Sequence, residues 1–277
     1  QAMFTHGLAR RVAFAAIASP WVGASAWRLA VAYSAVACVL SMWMSNTATT
    51  AMLFPLGLAV LAELGRERGQ DPAFAQFAMA LMLVTSFSAS IGGMGTPVGT
   101  PPNLIGIGLL RQMAGIDLSF TTWMALAVPI VVLTMGVLLL VLVRPRARQI
   151  TLTPESVAVV SRELEALGPM TRAERNVVIA FAVTVALWML PGLLQLVLGP
   201  EHDLPRRFNA LVPESIAALV GAMLLFLLPI DRRTGQPTMT WEQAVRIDWG
   251  IILLFGGGLA MGQLADSTGL SASLGGG

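Results

Sequence analysis

The sequence contains no lysine, since all 17 of its basic residues are arginine. A Walker A loop, a Schiff-base lysine and a lysine general base each require that side chain, so these three kinds of site are excluded. Cysteine is nearly absent as well, because Cys38 is the one cysteine and lies inside an apolar run. A single cysteine excludes an intrachain disulfide, a CxxC redox pair and a cysteine zinc site. We therefore interpret Cys38 as a small buried hydrophobic residue.

Charged residues are also scarce. They make up 12% of the 277 residues, about half the fraction typical of soluble domains, whereas 56% of the residues are hydrophobic. This composition predicts an integral membrane protein. The formal charge of +2 is too small to indicate a nucleic-acid partner. His6 and His202 lie far apart, and neither has another ligand at metal-binding spacing, so no metal site of that kind is predicted.

Six apolar stretches are candidates to enter a bilayer core of roughly 30 Å, which takes about 20 helical residues. They are residues 29–62, 73–115, 123–143, 176–198, 212–230 and 249–264, the last being the shortest. The chain is predicted to be one all-α membrane domain over residues 1–277. Because it begins with Gln1 and stops at a glycine run just after an apolar segment, we expect this domain to be incomplete at both ends.

The first two stretches are too long to be single straight spans. A continuous helix over residues 29–62 would measure about 51 Å, so this stretch is predicted to fold back as a re-entrant helical hairpin that turns at Ser45-Asn46-Thr47. Residues 73–115 are predicted to form one membrane helix broken between Gly92 and Asn103. No continuous helix tolerates the glycine and proline content of that segment.

The arginines predict the orientation in the membrane. Short arginine-rich loops stay in the cytoplasm, and the loop of residues 144–175 holds six arginines. With this basic loop inside and the segments alternating, 14 of the 17 arginines fall on the cytoplasmic side. The three that fall outside are Arg111, Arg206 and Arg207. Residues 1–27 then form a cytoplasmic interfacial segment.

Two stretches have the amphipathic pattern of a helix on the cytoplasmic membrane surface. The first is Leu8 to Ala18, in which Arg10 and Arg11 stand beside apolar residues. The second is Glu155 to Leu167, which follows a helix-start pattern at Thr153. A solvated connector is the alternative for both stretches.

The two polar interruptions are the candidate site. Backbone released from helical pairing at membrane depth must line a cavity or lie buried in protein, because lipid offers it no hydrogen bonds. In the first interruption, Ser41 and Ser45 are four residues apart and are expected to share a helix face, and Asn46 is expected to cap the next helix. In the second interruption, Gly95 allows close backbone approach, and Asn103 is expected to cap the half-helix that follows.

This pattern suits a small cation bound together with an anion. Carbonyl and hydroxyl oxygens at the end of one half-helix coordinate a cation such as Na⁺, and free N–H groups at the start of the next half-helices face an anion. A site without fixed charges can therefore hold a carboxylate and Na⁺ together. The alternative is a polar turn and a packing kink without a ligand. It fits less well, because both interruptions are rich in hydroxyl and amide groups and both break a span.

Two sequence runs around these interruptions resemble a known transporter family. The first is Leu40 to Leu56, LSMWMSNTATTAMLFPL, and the second is Ile91 to Ile105, IGGMGTPVGTPPNLI. They are similar, in order and spacing, to the first Ser-Asn-Thr hairpin and the signature loop of the divalent anion:sodium symporter family, the solute carriers of dicarboxylates, citrate and sulfate. Trp249 to Gly258 resembles the stretch before the family's second hairpin. The two motifs together are highly specific.

The resemblance implies roles for particular residues. The residues implied for the first sodium site are Ser41, Ser45, Asn46 and the backbone near Gly99. The residues implied for the half of the substrate site that holds one carboxylate are Asn46, Thr47 and Thr100. The residues implied for the supporting loop are Gly95, Thr96, Pro101 and Asn103. Na⁺ is then the coupling ion, and no organic cofactor is implied.

The resemblance also implies an elevator-type transporter in the lipid bilayer, in which a transport domain moves against a homodimeric scaffold. The sequence departs from the family pattern because a second Ser-Asn-Thr hairpin with its broken helix does not occur before Gly277. Scaffold helices that normally precede the first hairpin are missing too. We therefore expect that these residues alone do not transport.

The predicted function is secondary active transport by Na⁺-coupled symport of a divalent anion. The expected substrate is a C4-dicarboxylate such as succinate, malate or fumarate, and the expected location is the bacterial inner membrane. A dicarboxylate exchanger and a sulfate or citrate transporter are alternatives of the same fold, and a channel with a re-entrant pore loop is a further one. An enzyme is not predicted, because the sequence offers no Ser/His, His/Glu or paired-Asp arrangement at membrane depth.

Overall fold

The protein is helical throughout most of the chain that the structure describes. This computed structural model describes residues 1–66, 68, 71–148, 150–152, 154–199, 202–231, 233–247, 249–270 and 273. The helices are α1 (Ala2–Thr5), α2 (Leu8–Ile17), α3 (Ala26–Ser41), α4 (Asn46–Arg66), α5 (Pro72–Gly93), α6 (Pro101–Ala114), α7 (Phe120–Leu138), α8 (Arg144–Ala147), α9 (Pro154–Ala166), α10 (Arg172–Leu198), α11 (Asp203–Leu211), α12 (Glu214–Leu227), α13 (Trp241–Ala244) and α14 (Trp249–Ser267). A π-helical turn, Leu139–Val143, joins α7 to α8. The predicted all-α fold class is confirmed.

Four helical spans among the described residues are long and apolar enough to cross a membrane. They are Asn46–Arg66, Pro72–Gly93, Phe120–Ala147 and Arg172–Leu198. Helices of 21 to 28 residues measure about 32 to 42 Å and exceed the roughly 30 Å hydrocarbon core. The predicted segment 212–230 is shorter than expected, because α12 has 14 residues. It reaches the length of a span only together with α11, from which it bends by 55°.

Two helices flank each of the interruptions that the sequence predicted. α3 and α4 are the two arms of the hairpin and enclose a turn of four residues, Met42 to Ser45, which we call the hairpin tip. α5 and α6 are the two halves of the broken helix and enclose residues 94–100, which we call the site loop. The re-entrant character of the hairpin stays a prediction.

The hairpin and α5 share one apolar core with α2, α8, α9 and the π-helical turn. At its centre the Tyr33 hydroxyl lies 2.9 Å from the Leu53 carbonyl oxygen, to which it donates, and 2.9 Å from Thr85 Oγ1. A buried hydroxyl costs free energy unless it is hydrogen-bonded, so this arrangement favours one relative position of α3, α4 and α5.

The amphipathic stretch at the start of the chain forms α2, whose apolar face is covered by protein. The residues of α2 that enter the core are Ala9, Ala13, Phe14 and Ile17. On the polar side Arg11 Nε donates to Glu174 Oε1 at 2.7 Å, and Arg11 Nη1 donates to the Gly168 carbonyl at 2.8 Å. These bonds tie α2 to the junction between α9 and α10. The predicted start of α9 at Thr153 lies outside the described residues.

α7, α10 and α12 form a second group of packed helices. Glu214 begins α12, and its Oε1 accepts a hydrogen bond from Phe120 N at 2.9 Å. The Glu214 carbonyl accepts another from Trp188 Nε1 at 2.9 Å. These bonds connect the starts of α7 and α12 to the middle of α10, close to the hairpin tip.

Candidate functional site

The two polar interruptions come together in the fold. The C-terminal ends of α3 and α5 and the N-terminal ends of α4 and α6 meet where the hairpin tip contacts the site loop. Helix N-termini bear partial positive charge and C-termini partial negative charge. The site therefore presents potential of both signs through backbone and neutral side chains.

Asn46 is held between two helix ends. Ser41, the fully buried last residue of α3, donates from Oγ to Asn46 Oδ1 at 2.7 Å. On the other side the Asn46 amide lies against Gly93, the last residue of α5. A Cβ atom at Gly93 would stand 3.2 Å from Asn46 Cγ and 3.3 Å from Asn46 Nδ2, closer than the usual separation of about 3.5–4.0 Å. Only glycine lets α5 approach the amide this closely.

The site loop is fixed by two buried polar side chains, Thr96 and Asn103. Thr96 Oγ1 donates to the Met42 carbonyl at 2.5 Å and joins the site loop to the hairpin tip. Asn103 Nδ2 donates to the carbonyls of Gly93 and Thr96, both at 2.8 Å, and joins the loop to both broken halves of the helix. Gly99 completes the contact, because a Cβ atom there would lie 3.1 Å from the Gly93 carbonyl carbon.

The predicted site residues divide into a buried and an accessible set. The buried residues are Ser41, Gly95, Thr96, Gly99 and Asn103. The exposed or partly exposed residues are Ser45, Asn46, Thr47, Thr100 and Pro101. The three residues that the family resemblance implies for the substrate, Asn46, Thr47 and Thr100, therefore reach the surface of the described chain.

Three details of the predicted geometry are wrong. Ser41 and Ser45 do not share a helix face, because α3 ends at Ser41 and the hairpin tip follows. Ser45, and not Asn46, caps α4: Ser45 Oγ accepts from Ala48 N at 3.2 Å, whereas Asn46 is the first helical residue. Asn103 does not cap α6, which begins two residues earlier. The two asparagine side chains instead bond to neighbouring segments, Asn46 to Ser41 and Asn103 to the carbonyls of Gly93 and Thr96.

Sequence analysis missed the aromatic side chains that fasten the hairpin tip to α7 and α10. The Trp43 ring stacks on Phe120 with centroids 6.2 Å apart and meets Phe181 edge-on at 5.0 Å. Trp123 Nε1 donates to the carbonyl of Met94 in the site loop at 3.0 Å. A tryptophan within the polar hairpin tip is a signal that packing is needed there, but the partners of that ring are far away in sequence.

The ligands that converge here suit a monovalent cation. Over the described ranges, no group of three or more His, Cys, Asp or Glu residues could hold a metal ion. The oxygens at the hairpin tip and site loop belong to hydroxyl, amide and carbonyl groups, which are the ligands that broken helices of transporters offer to Na⁺. Calcium sites, in contrast, include carboxylates.

Comparison with known proteins identifies the family of the chain. The family described as the sodium:sulfate symporter transmembrane region matches residues 1–276. The sodium-dependent dicarboxylate transporter SdcS of Staphylococcus saprophyticus is 31% identical over 260 residues, which are 92% of this chain and 48% of that protein. The SdcS protein of Staphylococcus aureus strain USA300 is 29% identical with the same coverage. The chain thus spans about half the length of the curated relatives it matches.

The family match extends over nearly the whole chain, and the resemblance predicted from the two motifs is confirmed. The chain therefore belongs to the divalent anion:sodium symporter family, whose members are multi-pass membrane transporters and not enzymes.

Proposed function

We propose that this chain provides one sodium site and one half of a dicarboxylate site in a Na⁺-coupled symporter. The observation that supports the proposal most strongly is the contact between the hairpin tip and the site loop, where the Asn46 amide lies between the ends of α3 and α5. The names of the relatives support the choice of ligands, since both are sodium-dependent dicarboxylate transporters. By the same family resemblance, the transporter works by an elevator mechanism as a homodimer.

In this proposal Na⁺ binds between the hairpin tip and the site loop. The hydrogen bond of 2.7 Å between Ser41 Oγ and Asn46 Oδ1 places two oxygens where one ion can reach both. The close approach of Gly99 to α5 adds backbone carbonyls of the site loop. Ser45 Oγ contributes as well, because a hydroxyl that accepts one hydrogen bond keeps a second lone pair.

The dicarboxylate binds beside the sodium ion, on the exposed side of the hairpin tip and the site loop. The N–H groups in the first turn of a helix lack helical partners and attract anions. At α4 the Ser45 hydroxyl takes the N–H of Ala48, and the N–H groups of Asn46 and Thr47 face the carboxylate. The hydroxyls of Thr47 and Thr100 complete this half of the site.

Asn46 explains why the two ligands bind together. Its Oδ1 faces the ion while its amide N–H groups face the carboxylate, so each ligand stabilises the Asn46 orientation that the other one needs. The opposite charges of the ligands add direct attraction. Coupling of this kind is typically about 1–3 kcal/mol, and it acts equally in both directions.

The test is uptake by the full-length gene product in liposomes. We expect labelled succinate to accumulate with an inward Na⁺ gradient and not with an equal choline gradient. Asn46→Ala should abolish this accumulation at an unchanged amount of reconstituted protein, whereas Asn209→Ala, at an exposed position of α11, should leave it intact. Normal uptake by the Asn46 variant would refute the site assignment.

Sulfate is a second candidate substrate, because the matching family is described as sodium:sulfate symporters. Labelled sulfate and labelled succinate are compared under the same inward Na⁺ gradient. Na⁺-dependent accumulation of sulfate without accumulation of succinate would make sulfate the substrate. Succinate uptake that does not depend on Na⁺ but increases with the internal dicarboxylate concentration would indicate an exchanger. Succinate flux without accumulation would indicate a channel.

A further inference from the structure

Two fully buried hydroxyl groups lie near the proposed sodium site and take no part in the contacts described so far. Thr49 on α4 and Ser88 on α5 are both 0% exposed. Neither hydroxyl oxygen has a hydrogen-bond partner among the described residues. An unpaired buried hydroxyl destabilises a fold, so native proteins supply such groups with a partner.

Helical register places the two hydroxyls in the same layer. The Tyr33 hydroxyl contacts both the Leu53 carbonyl and Thr85 Oγ1, so those two positions lie at one level. Thr49 is one turn before Leu53 on α4, and Ser88 is one turn after Thr85 on α5, each on the same face as its reference residue. Because α4 begins at the hairpin tip and α5 ends at the site loop, both steps lead toward the site.

The third helix of this layer, α3, contributes Ala37, which lies one turn after Tyr33 and is 0% exposed. Its methyl group offers no hydrogen bond to either hydroxyl. Each hydroxyl can donate one hydrogen bond and accept two, and a buried water needs two to four polar partners. The layer of Ala37, Thr49 and Ser88 thus has the chemistry of a water site.

We propose that Thr49 and Ser88 share one bound water molecule, which joins the first turn of α4 to α5. Asn46 begins that same turn, and its amide lies against Gly93 of α5. The water therefore keeps Asn46 at a constant distance from α5. Thr49 and Ser88 are positioning residues for the sodium site, a role that rests on the proposed function, whereas the water site itself does not.

The water site is tested by thermal unfolding of the purified full-length gene product. Thr49→Val and Ser88→Ala should each lower Tm by roughly 2–4 °C, as expected for one hydrogen bond. The Tm of the double variant should be no lower than that of the less stable single variant, because both single changes disrupt the same water. Thr50→Val, at the partly exposed neighbouring position, should leave Tm unchanged. Single variants with unchanged or raised Tm, or strictly additive losses, would overturn the proposal.

The positioning role is tested by the Na⁺ dependence of succinate uptake. Thr49→Val should raise the half-saturating Na⁺ concentration roughly fivefold, with a smaller change in the succinate KM at saturating Na⁺. Thr49→Ser should restore the Na⁺ dependence, since it keeps the hydroxyl. A lowered Tm with unchanged Na⁺ dependence would overturn the positioning role. Absence of uptake by the wild-type protein would count against the proposed function, and the unfolding measurements would still decide the water site.

Discussion

A methyl group on Gly93 should weaken Na⁺ binding without disturbing the rest of the fold. The added Cβ of Gly93→Ala points at the Asn46 amide, 3.2 Å from Cγ and 3.3 Å from Nδ2, and Asn46 Oδ1 lies nearer still. Since such contacts normally exceed about 3.5 Å, the amide has to retreat. Its bond of 2.7 Å from Ser41 Oγ is then stretched toward the limit of useful hydrogen bonding.

The size of the effect follows from the contacts that are lost. A neutral hydrogen bond contributes about 1 kcal/mol, and displacement of Oδ1 also removes one proposed Na⁺ ligand. A loss of about 1–2 kcal/mol corresponds to an increase of roughly 5- to 30-fold in the half-saturating Na⁺ concentration. The measurement is the initial rate of succinate uptake into proteoliposomes as external Na⁺ is varied.

Gly106→Ala is the matched control for this change. Gly106 also lies in a helix, and a Cβ atom there would meet no atom within 4 Å. Alanine is the better helix former, so this variant should fold well and keep the wild-type Na⁺ dependence. The reasoning is refuted if Gly93→Ala yields folded protein whose Na⁺ dependence equals that of the control.

Three further predictions concern single contacts. Asn103→Leu removes the side-chain donor to the Gly93 carbonyl and one of two donors to the Thr96 carbonyl and should destabilise the protein by about 2 kcal/mol; an unchanged Tm would contradict this. Thr47→Ala should raise the succinate KM roughly fivefold and change the half-saturating Na⁺ concentration less, as measured by uptake; equal changes would argue against separate ion and substrate contacts. Arg11→Ala leaves Glu174, whose side chain is 4% exposed, as an unpaired charge, and should cost about 3–5 kcal/mol in thermal or denaturant unfolding. A loss below 1 kcal/mol, within the range of surface ion pairs, would show that this pair is not buried in the assembled protein.

The main helices and the breaks between them follow from local sequence. A bilayer accepts only helices with satisfied backbone groups or closed barrels, so a long apolar run predicts a helix whatever its neighbours are. Glycine and proline between residues 92 and 103 rule out a continuous helix there, and the structure has a loop at residues 94–100. For residues 212–230 the predicted membrane helix is longer than α12, because hydropathy does not detect the 55° bend between α11 and α12.

The details of the site were harder to predict because each depends on two segments. Spacing alone suggested that Asn46 and Asn103 are helix caps, which is a common role for asparagine. In the structure Ser41 Oγ donates a hydrogen bond to Asn46 Oδ1, and Asn103 Nδ2 donates to the Gly93 and Thr96 carbonyls. A local rule cannot anticipate a partner that comes from another helix.

Local sequence is enough to identify a membrane protein, to locate the breaks in its helices and to name the residue types at those breaks. Those properties depend on hydropathy and backbone chemistry, which act over a few neighbouring residues. The packing of the helices, in contrast, brings the two breaks together, places Thr96 Oγ1 at the Met42 carbonyl and sets α5 against the Asn46 amide. These contacts depend on the packing of α3, α4 and α5 around Tyr33, because a shift of one helix by a single turn would separate every pair.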